Sequence, residues 1–410
     1  MMSPYSISKG VRYVRPYFHA FKTNTKGRWV GKSLFEVMTK ELRYSEPYYK
    51  KLVDSGKSFV VRRHENSKTY KGDDLEELKL RHGDVVHNEV HKHEPPVLTG
   101  DYLYSNTTEK LFYSEFNKAK CSVQIVYENK DLLVVNKPSG IPVHPTGNFF
   151  HNTLSELLKF ELGIDNLYPC HRLDKLTSGI LIFAKNHRAA KILEDHFRFK
   201  RISKHYLARV TGDFPDETTC HDPVFRVNPS HKYISTSQSI VISIKTGITH
   251  FKKISYDRVL NQSIVKCIPE TGRTHQIRIH LRNLGYPISN DPTYGHETVG
   301  PLRNSIEMGI LESLKYGKSI EELINKEMNS LEYNLSNELF QSVSKEFLDR
   351  LKQYQSENLV CDVCGEKMMN SFDEPEKMMI YLHASEYRLI DPQSKALECE
   401  FKSDPPKWLF

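Results

Sequence analysis

Long apolar runs are missing from this chain of 410 residues. None approaches the ~18 residues of a membrane span, and no signal-peptide core is visible. Cysteine is sparse too: seven thiols, an odd number scattered along the sequence, do not describe a secreted disulfide framework. These absences predict a soluble protein of a reducing compartment, with no membrane partner. A Gly-x-x-x-x-Gly-Lys phosphate loop is also lacking, which argues against a nucleotide-hydrolysing enzyme. No internal repeat or low-complexity tract appears. No acidic residue precedes Glu36, whereas Lys9, Arg12, Arg15, Lys22, Lys26, Arg28 and Lys32 all do. An acid-poor, Arg-containing start occurs in mitochondrial transit peptides. Here, however, Pro4 and Pro16 interrupt any amphipathic helix, and Tyr5, Tyr13, Tyr17, Phe18, Phe21 and Trp29 are groups that pack or stack. The reading is a basic-aromatic arm over 1–32 in a cytoplasmic protein, with a share of organelle targeting left open.

What is present points to a globular chain. Hydrophobic residues at 38% and aromatics at 11% suffice for a packed interior, and the length accommodates one sizeable core plus one smaller domain. A formal charge of +7 suggests a polyanionic partner without proving one. Within 33–97, Leu34, Val37, Met38 and Leu42 recur at helical spacing, a second helix fits around Tyr48 to Val53 before Gly56, a strand fits Phe59 to Arg62, and Leu78 to Val86 closes the module through the turn His82-Gly83-Asp84. Pro95-Pro96 marks a stiff link. From 120 onward, short strands outnumber helices, with hairpin-length connections. That predicts an α+β domain with a mixed, largely antiparallel sheet flanked by helices, extending to 410. One of its helices starts at Thr153 with Glu156 in a capping-box arrangement. Residues at about 300–375 are charged and Leu-spaced and read as a helical insertion.

Two runs carry chemistry. Arg172-Leu173-Asp174-Lys175-Leu176-Thr177-Ser178-Gly179 sets an Asp beside cations on a loop before the apolar run Ile180 to Ala184. Much later comes Thr271-Gly272-Arg273-Thr274-His275-Gln276-Ile277-Arg278. Together with Tyr206 in Tyr-Leu-Ala-Arg-Val-Thr-Gly and with Asn136-Lys137-Pro138, these runs resemble the RluA-type pseudouridine synthases. The resemblance implies isomerisation of uridine to pseudouridine in RNA, without cofactor or metal. It implies Asp174, Tyr206 and Arg278 as catalytic, and Arg172, Arg273, His275 and Lys137 as contacts to RNA. The 33–97 module resembles an S4-type RNA-binding domain, although Val61-Arg62-Arg63-His64 departs from that family's Asn-Gly strand end. The run at 10–18 resembles fungal members that modify transfer RNA, which implies a monomer acting on the anticodon stem-loop at position 31. A synthase for another tRNA position or ribosomal RNA, or an RNA-binding module without catalysis, are the competing readings.

The chemistry explains the residue types. A carboxylate drives cleavage of the bond from N1 to the sugar as a nucleophile at C1′, as a nucleophile at base C6, or as a base on the sugar, and the sequence does not choose among them. Each route needs the carboxylate charged and the nucleotide out of its stack in a closed pocket. A fixed guanidinium such as Arg278 supports that charge with two hydrogen bonds. A phenol at Tyr206 stacks on the base, and a long cation at Arg172 fits the space left by the extruded nucleotide. The spacing of His171, His275 and His280 assembles no metal site. Cys361-Asp-Val-Cys364-Gly is a zinc-knuckle half-site that lacks a second pair. Only Cys399 and His383 stand out as completing partners, and otherwise these are ordinary cysteines in a turn.

Overall fold

A computed structural model describes residues 4–8, 10–42, 44–99, 112–114, 119–227, 241–295, 361–365, 378–390 and 397–409. The chain forms two units, a small one built on 13–95 with the turn at 361–365, and a large one built on 96–295 with 378–409.

The small unit is a four-stranded antiparallel sheet with helices on one face. Its elements are β1 (Tyr17–Asn24), α1 (Glu46–Asp54), β2 (Ser58–Arg62), β3 (Lys68–Tyr70) and β4 (Asp84–Lys92), in the sheet order β1-β4-β2-β3. The Leu34 to Leu42 periodicity does form a helix. It runs as Leu34–Glu36 and then widens to a π-helical turn over Val37–Glu41, burying Leu34, Val37 and Met38. Ser33 caps it: its hydroxyl accepts from the Glu36 amide, and the Glu36 carboxylate accepts from the Ser33 amide. Two expectations change here. Residues 17–24 are not part of an arm, because they pair along their whole length with β4. The last strand begins at Asp84 and continues to Lys92, past the expected end at Val86.

The large unit holds β5 (Gln124–Glu128), β6 (Leu132–Lys137), α2 (Leu154–Leu162), β7 (Ser178–Ala184), α3 (His187–Arg198), β8 (Ile202–Thr211), β9 (Glu217–Cys220), β10 (Thr249–Asp257), β11 (Gln262–Pro269), α4 (Gln276–Asn283), β12 (Leu382–Ile390) and β13 (Leu397–Lys402). A ten-stranded sheet runs β5-β6-β7-β12-β8-β11-β10-β9, with β13 beside β12 and a two-residue strand at Tyr168–Pro169 beside β7. All its pairings are antiparallel except β7 with β12, so the sheet is mixed and largely antiparallel, as expected. β7 is buried along its whole length and reads accordingly as an unbroken apolar run. Gly179 sits there at φ 112°, where an added Cβ would collide with the Ala384 backbone, so only glycine lets β12 close onto β7. The capping box at Thr153 does not form. The Thr153 hydroxyl donates to the Phe150 carbonyl, and Glu156 pairs with Lys159 at 3.0 Å instead. The insertion expected at about 300–375 lies outside the described residues, apart from the turn at 361–365.

Candidate active site

Asp174 lies in the turn that feeds β7, with the Thr177 amide donating to its carbonyl at 3.1 Å. The run before it in the chain braces that turn. The Lys137 ammonium is fully buried and donates to the carbonyls of Pro138, Ile141 and Lys175 at 2.8, 2.8 and 3.1 Å. The Gly140 amide donates to the Lys175 carbonyl at 2.8 Å, and the Ser139 hydroxyl donates to the Leu176 carbonyl. Lys137 was expected among the contacts to RNA. With no exposed surface it touches none, and its role is to tie the 138–141 loop to the Asp174 turn. Burial pushes its pKa down to about 7, with Asp174 opposing that fall.

Arg278 reaches the same place from α4. Its Nε and Nη2 donate to Oδ2 and Oδ1 of Asp291 at 2.7 and 2.8 Å, a two-pronged pair that is buried on both sides. The remaining nitrogen, Nη1, approaches Oδ2 of Asp174 at 3.4 Å. The pair expected from the sequence thus exists, but the guanidinium's strong partner is Asp291. Burial works against both charges. Asp291, and after it Asp174, outweigh that for Arg278 and hold its pKa above the ordinary guanidinium value. Arg278, with the amides of Thr293 and Tyr294, holds the Asp291 carboxyl below its usual range. Arg278 therefore arrives at Asp174 as a permanent cation with its direction fixed.

His275 stands beside this pair, at the start of α4, in the left-handed region at φ 57°. Its Nε2 lies 3.7 Å from Asp174 Oδ2 and its Nδ1 3.0 Å from the Tyr294 hydroxyl. Tyr206 projects from β8 and shares a hydroxyl–hydroxyl hydrogen bond with Tyr387 of β12 at 3.0 Å. Burial pushes the Tyr206 phenol up to about 12, so it stays neutral and able to donate. Asp174, Tyr206, Arg278, His275, Arg172 and Arg273 line one cleft of about 590 Å³. Arg172 and Arg273 are exposed at its rim. Lys204, Lys200 and Arg198 also line it, and together with Arg172, Arg273 and Arg278 they outnumber its two carboxylates, Asp174 and Glu270, leaving the cleft cationic. That suits a site that receives one nucleotide while gripping a phosphate backbone.

Three of these residues had no role in the sequence reading. Asp291 had a signal, since it follows Gly285-Tyr286-Pro287-Ile288 closely, but no chemistry marked it. Lys204 sits two residues before Tyr206, the spacing at which two strand residues share a face. Tyr387 had no local signal at all. The other two histidines of the motifs are held by the fold: His171, which also lines the cleft, accepts at Nε2 from the Ile182 amide at 3.0 Å, and His280 contacts the Thr249 hydroxyl and the Asp222 carbonyl. His383 is engaged with Ser178 and Ser403, and Cys399 is exposed on β13.

Comparison with known proteins supplies the family context. The family described as RNA pseudouridylate synthase matches residues 131–283. The tRNA pseudouridine(31) synthase of Saccharomyces cerevisiae is 34% identical over 429 residues, covering 97% of this chain and 95% of its own. The mitochondrial tRNA pseudouridine(32) synthase of the same yeast is 36% identical over 291 residues, 70% of this chain and 56% of that one. Pseudouridylate synthase RPUSD2 of Mus musculus is 39% identical over 313 residues, 73% of this chain and 48% of its own length. The chain therefore spans about half the length of the mouse relative.

Proposed function

The chain belongs to the RluA-type RNA pseudouridylate synthase family, and from that premise we propose that it isomerises uridine to pseudouridine in transfer RNA. The observation that carries this reading is a cleft carboxylate, Asp174, facing a guanidinium that Asp291 holds in direction. In the proposed reaction a uridine leaves its stack and enters the cleft. Arg172, exposed at the rim, occupies the gap it leaves, and Arg273, His275 and Lys204 hold the flanking phosphates. The ring of Tyr206 stacks on the uracil. Asp174 then acts on C1′, on C6 or as a base on the sugar, while Arg278 supports its charge until the uracil turns and rejoins through C5. No step needs a cofactor.

The target we favour is position 31 of the anticodon arm, because likeness to the yeast protein named for that position runs through 97% of this chain. The small unit, with its helices, sheet and exposed Lys and Arg side chains, acts as an S4-like RNA-binding module in this scheme. The protein works as a monomer in the cytoplasm, and the mitochondrial relative supports a further share in mitochondria.

The test incubates the purified chain with unmodified tRNA transcripts and maps pseudouridine along them. The expected product lies at position 31, the position named in the yeast relative, and disappears from a transcript carrying cytidine there. Asp174→Ala should lower turnover at least ~1000-fold with RNA affinity retained. Retained turnover in Asp174→Ala, or binding with no product at any uridine, overturns the proposal.

A further inference from the structure

The Cys-x-x-Cys turn that the reaction leaves unused is not isolated. His91, near the end of β4, and His93, just beyond it, come up against Cys361 and Cys364, and the four ligand atoms all lie within 4.8 Å of one another. His91 and His93 are two apart on an extended segment, so their rings share a side. Cys361 Sγ and His91 Nδ1 are already 3.5 Å apart. Both cysteines are buried in the small unit's core beside Trp29, Leu34 and Leu52, and neither is in a disulfide. The Nε2 of His93 is buried without a hydrogen-bond partner, an uncommon state for a polar atom in a core.

The turn itself has the shape of a metal knuckle. The Val363 amide points at Cys361 Sγ at 3.4 Å, the Gly365 amide donates to the Cys361 carbonyl at 2.8 Å, and Gly365 takes the left-handed φ of 71°. An amide aimed at sulfur favours the thiolate, the form that binds metal. Lys51 of α1 anchors the turn from outside, donating to the Val363 carbonyl at 3.1 Å.

We propose that His91, His93, Cys361 and Cys364 form a structural zinc site that staples the 361–365 turn onto the small unit's sheet. Two thiolates and two neutral imidazoles make the set expected of a closed tetrahedral zinc site. Metal–ligand lengths of about 2.0–2.3 Å place ligand atoms roughly 3.3–3.8 Å apart, so the four need draw in by only about 1 Å. Two thiolates also cancel the charge of a divalent cation, which makes the site neutral and fit for burial. Binding releases the two thiol protons to solvent. The soft sulfur ligands exclude calcium and magnesium. The site joins segments 270 residues apart in sequence, at Cys361 and His91. Its four residues belong to the small unit, none of them lines the cleft, and the site takes no part in the isomerisation.

The test is metal analysis of the full chain purified without chelator, followed by exchange of cobalt(II) for zinc. One zinc per chain is expected, released when the thiols are blocked. The cobalt form should show the absorption of a tetrahedral site with two thiolates. Cys361→Ser, Cys364→Ser and His91→Ala should each lose the metal, while Cys399→Ser, at an exposed thiol, keeps it. Because a ligand variant could lose metal simply by misfolding, His93→Cys provides the gain-of-signal arm. It should keep the metal and raise the thiolate-to-cobalt absorption in proportion to three thiolates instead of two. A chain that neither carries zinc nor takes up cobalt, a Cys361–Cys364 disulfide in metal-free protein, or a His93→Cys cobalt spectrum unchanged from the parent would each overturn the proposal.

Discussion

The two units contain the same buried device put to different uses. In the small unit, Arg62 grips Asp84 through Nε and Nη2 at 2.9 Å each, and Asp84 also accepts from the Arg81 amide at 2.8 Å. In the large unit, Arg278 grips Asp291 through the same two nitrogens, and Asp291 also accepts from two turn amides. Each carboxylate has no exposed side-chain surface. The difference is what the guanidinium does with its other edge. Arg62 gives a further bond to the Lys79 carbonyl and lies near Glu65, so its donors go to its own fold. Arg278 leaves Nη1 for Asp174, in a cleft. A bidentate Arg–Asp pair is therefore no mark of function by itself; a donor left over and aimed at a cavity is.

Breaking each pair in turn gives the sharpest contrast. Asp84→Ala and Asp291→Ala both strand a buried guanidinium, and each should cost about 3–5 kcal/mol in denaturant unfolding of its unit. Their effects on turnover should part. Asp291→Ala frees Arg278 to swing and should lower kcat about 100-fold, the scale of an ångström-level misplacement. Asp84→Ala should leave kcat intact and weaken RNA binding instead. Equal losses of kcat from both would erase the distinction.

A smaller effect comes from acid and concerns a group the large unit keeps neutral rather than charged. His383 is fully buried between Ser178 and Ser403, and burial pushes its pKa down to about 3. In the unfolded chain it titrates near ~6.5, so between those values only the unfolded state takes up the proton. Stability should therefore fall as pH drops below ~6.5, by about 2 kcal/mol at pH 5. Unfolding curves at pH 8 and 5 measure it, and a His383→Asn variant should show a drop smaller by that amount. A drop of the same size in the variant would assign it elsewhere. The smallest change is Tyr206→Phe, which keeps the ring but removes the hydroxyl that meets Tyr387. About 1 kcal/mol of stability and less than about tenfold in turnover should be lost. A collapse of kcat on the scale of an Asp174 variant would move the hydroxyl into the chemistry.

Much of this was legible in the residues, and the failures have a pattern. The strands at β6, β7 and β11 and the helix α3 show in apolar runs or helical spacing because burial sets those periods locally. Asp174, Tyr206 and Arg278, which the structure brings to one cleft, stand out in the sequence because each sits in a run whose neighbours shape a turn or strand around it. Lys137 misled, since its run resembles a binding loop, yet the ammonium turns inward to hold carbonyls. The strand 17–24 reads as an arm because its mix of basic and aromatic residues looks the same whether or not β4 is there to pair with it.

The order of chain segments, the apolar periods, the cationic balance and the motif bearing Asp174 were written in the sequence, since each depends on residues close together along the chain. The pairing of Arg278 with Asp291, the contact of Tyr206 with Tyr387 and the meeting of His91 and His93 with Cys361 and Cys364 were decided by the tertiary structure alone. Those contacts join residues that share no local pattern. Their geometry exists only once sheet pairing and core packing have overcome the entropy of closing the loops between them.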